Sequence, residues 1–165
     1  MKVKDILLYL ENRFPYDLAA DFDKNKIGLT IGNYDQEVNG ILFALDLTLG
    51  VIEEAICKKC NLIVCHHPFI FAPITKVLVN DEKGALIYEM VKNNISLIAM
   101  HTNMDLGKDG VADTLSLMLG MKESNYGIHM KDEYARYGYI EEISLNIFKK
   151  YAYAKNIEKI EVIKE

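Results

Sequence analysis

Two adjacent histidines, His66 and His67, stand at the end of a short apolar run and are followed by a proline. The run at residues 62–65 has the length and composition of a buried strand, and Pro68 ends it. Open α/β sheets bind their ligands beyond the carboxyl ends of the strands, which is where this pair would lie. Because imidazole is a common ligand of divalent metals, the pattern predicts a metal site.

Neighbouring residues of a strand point to opposite faces, so the rings of His66 and His67 should diverge unless the chain twists locally. Two ions side by side, with one ring on each, would therefore suit the pair better than a single ion. The alternative is that both histidines cap the strand, make ordinary hydrogen bonds and bind nothing.

A second polar group, His101 and Asp105, follows the apolar run at residues 95–100. In a parallel sheet this strand end would lie at the same edge as His66 and His67. Asp105 could bind an ion, whereas His101 could bind an ion or move protons beside it, which makes it the catalytic candidate. The alternative is that Asp105 caps the following turn and His101 is an ordinary strand-end histidine.

Strands and helices alternate along the chain, which is typical of an α/β fold. The pattern predicts a mostly parallel central sheet flanked by helices, with the metal site at the carboxyl ends of the strands, and a single domain over residues 1–165. Helices are predicted at 2–13, 48–60, 82–93, 109–119 and from a cap at Ser144 onward, and strands at 27–31, 40–46, 62–65, 95–101, 136–142 and 157–163.

The composition excludes several classes of partner. A net charge of −5 offers no basic surface for nucleic acid, and no apolar run reaches the roughly 18 residues of a membrane span. The N-terminal residues form an amphipathic pattern with acidic side chains, unlike a secretory signal. Three cysteines, an odd number, argue against a disulfide framework. We therefore expect a cytoplasmic protein with no nucleic acid or membrane partner.

The motifs HHPFIF at 66–71 and HTNMD at 101–105 stand in the order and spacing of a known family. The chain resembles the YbgI-like, or NGG-one-interacting-factor-three-like, family of dinuclear metal-binding proteins, often named GTP cyclohydrolase I type 2 homologues. The resemblance implies an α/β fold, a ring-shaped homo-oligomer, commonly a hexamer, and two divalent ions, zinc, iron or manganese. It further implies that His66 and His67 bind one ion each, that Asp105 binds one of the same ions, and that His101 lies beside the site.

The chain matches only the first part of the family pattern. Members usually carry a later His-x-x-x-Glu motif that supplies further ligands; His129 and Glu133 have that spacing here, but their surroundings differ. His66, His67 and Asp105 alone give three ligands for two ions, whereas a catalytic site needs about three for each. A neighbouring subunit, a partner chain, or His129 and Glu133 would have to complete the set.

Two functions follow from the resemblance and the ligand types. The first is a dinuclear metal-dependent hydrolase of the cyclohydrolase kind, acting on a small molecule, with His101 moving a proton. The second is a non-catalytic metal-binding or regulatory interaction module that holds an ion without turning over a substrate.

Overall fold

A computed structural model describes residues 1–122, 124–126 and 134–155. The strand predicted at 157–163 and the weak ligand candidates His129 and Glu133 lie outside the described residues. The chain separates into two compact units, Met1–Gly107 and Lys108–Glu165. The single domain expected from the sequence over residues 1–165 stays a prediction.

The first unit contains a four-stranded sheet with helices on both of its faces. Its elements are α1 (Val3–Arg13), a single 3₁₀ turn (Tyr16–Leu18), β1 (Gly28–Ile31), β2 (Ile41–Ala44), α2 (Leu49–Cys57), β3 (Leu62–Cys65), α3 (Glu82–Lys92), β4 (Ser96–Ala99) and the short α4 (Thr102–Leu106). The strand order is β1-β4-β3-β2, in which β2, β3 and β4 are parallel and β1 is antiparallel to β4. The mostly parallel α/β sheet predicted from the sequence is confirmed.

The two central strands, β3 and β4, are buried throughout because their alternate side chains enter two apolar clusters on opposite faces of the sheet. One cluster joins the sheet to α2 and α3, and its buried members are Ile31, Leu47, Ile52, Ala55, Ile63, Cys65, Met90, Ile95 and Leu97. The other joins the sheet to α1, and its buried members are Val3, Leu7, Leu10, Leu62, Val64, Ile98 and Met100. Packing on both faces therefore holds the two central strands in the core.

The helix predicted to begin after Thr48 does so, because the Thr48 hydroxyl accepts a hydrogen bond from the amide of Val51 at 3.3 Å. The prediction that this helix extends through Cys60 is wrong, since it ends at Cys57. Lys59 adopts a left-handed backbone conformation with φ of 57°, which an α-helix does not tolerate.

The second unit contains α5 (Val111–Met118), a two-stranded antiparallel sheet of β5 (Ser124–Tyr126) and β6 (Arg136–Gly138), and α6 (Leu145–Ala154). The predicted cap at Ser144 is confirmed, because its hydroxyl accepts from the amide of Ile147 at 3.3 Å. The strand predicted at 136–142 is shorter, since β5 offers only three residues for it to pair with. No helix in the described part of the chain is long and apolar enough to cross a membrane.

Candidate metal centre

The parallel strands β2, β3 and β4 bring their carboxyl ends to one edge of the sheet, as predicted. Asp46 lies two residues beyond β2, His66 and His67 directly follow β3, and His101 lies two residues beyond β4. The amides of His66 and His67 still donate to carbonyls at the end of β2, at 3.1 and 2.9 Å. The histidine pair is therefore anchored to the sheet by its backbone.

Three imidazole rings converge at this edge. The ring centroids of His66 and His67 are 5.0 Å apart, and the centroid of His101 lies 5.2 Å from that of His66 and 5.6 Å from that of His67. One ring nitrogen from each of the three lies within 4.8 Å of the others, so the group could hold a metal ion. The expected divergence of His66 and His67 applies only to a regular strand, and the chain bends at both residues as soon as β3 ends.

Two of the rings are held by carboxylates that the sequence pattern did not indicate. The Nδ1 atom of His67 lies 2.7 Å from Oδ1 of Asp46, and Nδ1 of His101 lies 2.7 Å from Oδ2 of Asp23. Histidines that bind a metal through one nitrogen commonly give the other N–H to a carboxylate, which fixes the ring's orientation. In both pairs Nε2 is left as the nitrogen available to an ion.

The third ring, that of His66, faces Asp105. Its Nε2 atom lies 3.4 Å from Oδ1 of Asp105, which is too long for a good hydrogen bond. Two ligand atoms that each lie about 2.1 Å from a tetrahedral ion are themselves about 3.4 Å apart. The spacing thus matches two ligands of one ion. Asp105 reaches this position because it lies on the short α4, which the sequence did not predict.

Burial lowers the pKa of His66 below its ordinary value. Asp105 opposes this effect, the neighbouring His101 and His67 rings add to it, and the backbone of Met100 opposes it weakly. The buried Nδ1 of His66 makes no hydrogen bond of good geometry. These surroundings favour the neutral imidazole, which is the form that binds metals.

Asp23 is completely buried, and burial alone would raise the pKa of its carboxyl. Hydrogen bonds from His101 and Thr102 outweigh burial and hold the pKa below its ordinary value, so the carboxylate is ionised. The nearby thiol of Cys65 behaves differently. Burial, together with the charge of Asp46, raises its pKa to about 12, so it stays protonated and packs in the core at neutral pH.

All four residues selected from the sequence, His66, His67, His101 and Asp105, lie at this one edge of the sheet. Their individual roles as ligands or proton carriers stay predictions. Asp46 could have been found from the sequence, because the strand-end argument applies equally to β2. Asp23 could not, because it lies in a polar connection far along the chain from His101 and belongs to no periodic pattern.

Comparisons with known proteins agree with this architecture. A "GTP cyclohydrolase 1 type 2 homolog" of Clostridium acetobutylicum is 39% identical over 125 residues, which is 76% of this chain and 46% of that protein. The crystal structure of Staphylococcus aureus protein SA1388 matches with 41% identity and a TM-score of 0.72, covering 76% of this chain and 40% of that one. Reduced HcgD from Methanocaldococcus jannaschii matches with 28% identity and a TM-score of 0.79, covering 93% and 60%.

The chain spans less than half the length of the curated relative from Clostridium acetobutylicum and of a Staphylococcus aureus relative that it matches at 40% identity. The family described as Duf34/NIF3 (NGG1p interacting factor 3) matches across residues 1–165. The chain therefore belongs to the Duf34/NIF3 family.

Proposed function

We propose that this protein binds divalent metal ions at the edge of its sheet, and that the centre is dinuclear and hydrolase-like. The observation that carries the proposal is the convergence of three imidazole rings with the Asp105 carboxylate at the carboxyl ends of β3 and β4. Imidazole and carboxylate together suit zinc, iron or manganese.

The ligands that we assign are His66, His67 and Asp105. His66 and Asp105 are spaced as two ligands of one ion, while His67 has its Nδ1 occupied by Asp46 and its Nε2 free. Three carboxylates lie against the three rings, and the positive charge of divalent ions would offset this local negative charge.

A divalent ion in such a centre supplies a Lewis acid and lowers the pKa of bound water. The protein's own contribution would come from His101, to which we assign the transfer of a proton. Its Nδ1 is engaged by the ionised Asp23, so Nε2 is the atom that would accept a proton from a reacting group. A small molecule is the proposed substrate, and the name of the relatives makes GTP the first to test.

The ligand set needs completion. Among the described residues, His66, His67 and Asp105 provide three ligands, fewer than two catalytic ions need. The remaining ligands would come from His129 and Glu133, from a partner chain, or from a neighbouring copy in a homo-oligomeric ring such as the hexamer that the family resemblance implies. The assembly stays a prediction, as does the cytoplasmic location expected from the three cysteines and from an N-terminal pattern unlike a secretory signal.

A second function has its own support. The described part of the chain offers few metal ligands, which favours a non-catalytic metal-binding or regulatory module. Such a module can hold an ion with fewer protein ligands than a two-ion hydrolase needs. This alternative predicts tight metal binding with no turnover.

Elemental analysis of protein purified without chelator decides whether the centre binds metal. About two ions per chain, lost in both His67→Ala and Asp105→Ala, would support the dinuclear centre. Asp35→Ala is the matched control, because it removes an exposed carboxylate that pairs with Lys2 and Lys4 of the same unit. Unchanged metal content in both site variants would refute the proposal.

Hydrolysis assays then separate the two functions. Saturable hydrolysis of GTP or of another nucleotide or ester, abolished by His67→Ala, would support the enzyme. In His101→Gln we expect turnover to fall by about 10²- to 10⁴-fold, the usual contribution of a general acid or base. Bound metal without hydrolysis across these substrates would support the non-catalytic module instead.

A further inference from the structure

We propose that Asp23 is a positioning residue that holds the proton of His101 on Nδ1 and thereby presents an unprotonated Nε2 to the three-histidine cluster, His66, His67 and His101. This inference rests on the proposed function only in so far as the cluster serves a metal ion. The tautomer itself is a property of the metal-free protein and can be measured without any ion.

Three hydrogen bonds to the Asp23 carboxylate converge on one of its oxygens, Oδ2. Oδ2 lies 2.7 Å from Nδ1 of His101, 3.1 Å from the Thr102 amide and 2.7 Å from the Thr102 hydroxyl. The amide of Ala20 donates to the same hydroxyl at 2.9 Å, which leaves the hydroxyl hydrogen to point toward Asp23. Since two donors from Thr102 already reach Oδ2, this oxygen acts as an acceptor, and the donor in the third bond is His101 Nδ1–H.

The backbone around His101 is held independently of the ring. Its amide donates to the side-chain oxygen of Asn103 at 3.0 Å, and the Asn103 amide group donates to the carbonyl of Phe14 at 2.8 Å. Asn103 is completely buried. With the main chain fixed in this way, the bond to Asp23 decides which edge of the ring faces the cluster and which nitrogen carries the proton.

An unrestrained neutral histidine can carry its proton on either ring nitrogen. With the proton on Nε2, that atom could neither bind an ion nor accept a proton. Asp23 thus removes the unproductive form, and it does so whether His101 binds an ion or moves a proton beside it.

The other carboxylate pair of the site provides a matched control. Asp46 also lies 2.7 Å from a histidine Nδ1, that of His67, but the two side chains are 57% and 46% exposed. Asp23 and His101 are 0% and 19% exposed, so water competes far less for their hydrogen bond. Replacing Asp46 removes a carboxylate from the same site without touching His101.

The test is a long-range ¹H–¹⁵N correlation spectrum of the metal-free full chain at pH 7.5, which distinguishes protonated from unprotonated ring nitrogens. For the wild type and for Asp46→Ala we expect His101 with a protonated Nδ1 and an unprotonated Nε2. For Asp23→Ala we expect a mixture of both tautomers. Asp23→Asn should retain the wild-type tautomer, because its amide oxygen can take the place of Oδ2 and accept the same three hydrogen bonds.

Zinc affinity, measured by competition with a chromophoric chelator, gives the second readout. We expect binding to weaken by roughly 10- to 100-fold in Asp23→Ala and by less in Asp23→Asn. A wild-type His101 protonated on Nε2 would overturn the proposal even if Asp23→Ala failed to fold. An altered tautomer with unchanged zinc affinity would overturn the claim that Asp23 serves the ion. No zinc binding by the wild type would refute the proposed function while the spectrum still decided the tautomer.

Discussion

Metal binding at this centre should stabilise the folded protein against heat, and Asp105→Asn should remove most of that stabilisation. The substitution keeps the size of the side chain but removes the charged oxygen that lies 3.4 Å from Nε2 of His66. If His66 and Asp105 share an ion, the variant loses one charged ligand of that ion and keeps the rest of the fold. Asp105 lies on the short α4, and a quarter of its side chain is exposed. The substitution should therefore leave the packing of the core unchanged.

The size of the effect follows from linkage. A ligand present at 100 times its Kd stabilises the native state by about 2.7 kcal/mol. Unfolding entropy of about 2.1 cal/mol/K per residue gives about 0.35 kcal/mol/K for 165 residues, so the wild-type Tm should rise by about 8 °C. If the loss of Asp105 weakens binding about 100-fold, the same metal concentration stabilises by only about 0.4 kcal/mol, or about 1 °C.

Differential scanning calorimetry with and without zinc measures this shift directly. Asp35→Asn serves as the control, because it removes an exposed carboxylate that is far along the chain from the histidines and pairs with Lys2 and Lys4. We expect the control to keep the full rise of about 8 °C. A similar rise in Asp105→Asn would show that Asp105 is not a ligand and that its approach to His66 has another cause.

Three further perturbations test the fold and the electrostatics behind the site, each through the free energy of unfolding in urea. Met90→Ala, in the fully buried core between α3 and the sheet, should cost about 2–5 kcal/mol, whereas the neighbouring exposed Val91→Ala should cost less than about 1 kcal/mol. Gly32→Ala should cost at least about 2 kcal/mol, because its φ is +117° and a Cβ would lie 2.8 Å from the Cα of Ser96; a smaller loss would contradict the tight approach of β1 to β4. Because burial lowers the pKa of His66 below 6.5, the unfolded chain takes up this proton first as the pH falls. Metal-free stability should therefore be complete above about pH 6.5 and decline below it, and His66→Gln should flatten that decline; an identical profile would refute this role for His66.

The sequence predicted most of the first unit because its signals are local. Apolar runs that end in polar residues predicted β2, β3 and β4, and the cap at Thr48 predicted where α2 begins. In the second unit, the cap at Ser144 likewise predicted where α6 begins. The antiparallel direction of β1 was not predicted, because an alternating pattern carries no information on strand direction. The five-residue α4 was missed for a related reason, since it is too short to show helical periodicity.

The same distinction applies to the candidate site, where some features follow from local sequence and others depend on residues far apart in the chain. His66, His67, His101 and Asp105 each stand next to a strand end in the sequence, so the rule for α/β sheets was sufficient to group them. The convergence of the rings was not predictable, because it depends on a bend of the chain directly after β3.

The contact between Asp23 and His101 depends on tertiary structure alone. The two residues are 78 positions apart, and Asp23 lies in a turn with no hydrophobic period to place it. Folding brings its carboxylate beneath the end of β4, where Thr102 supplies two donors and His101 the third. Candidate metal ligands at strand ends can be inferred from the sequence, because each follows an apolar run. The carboxylates that contact them can lie in connections whose positions only the packed fold determines. Of the six histidine and aspartate side chains at this edge, the two that sequence reasoning overlooked, Asp23 and Asp46, are the two that contact a histidine through Nδ1.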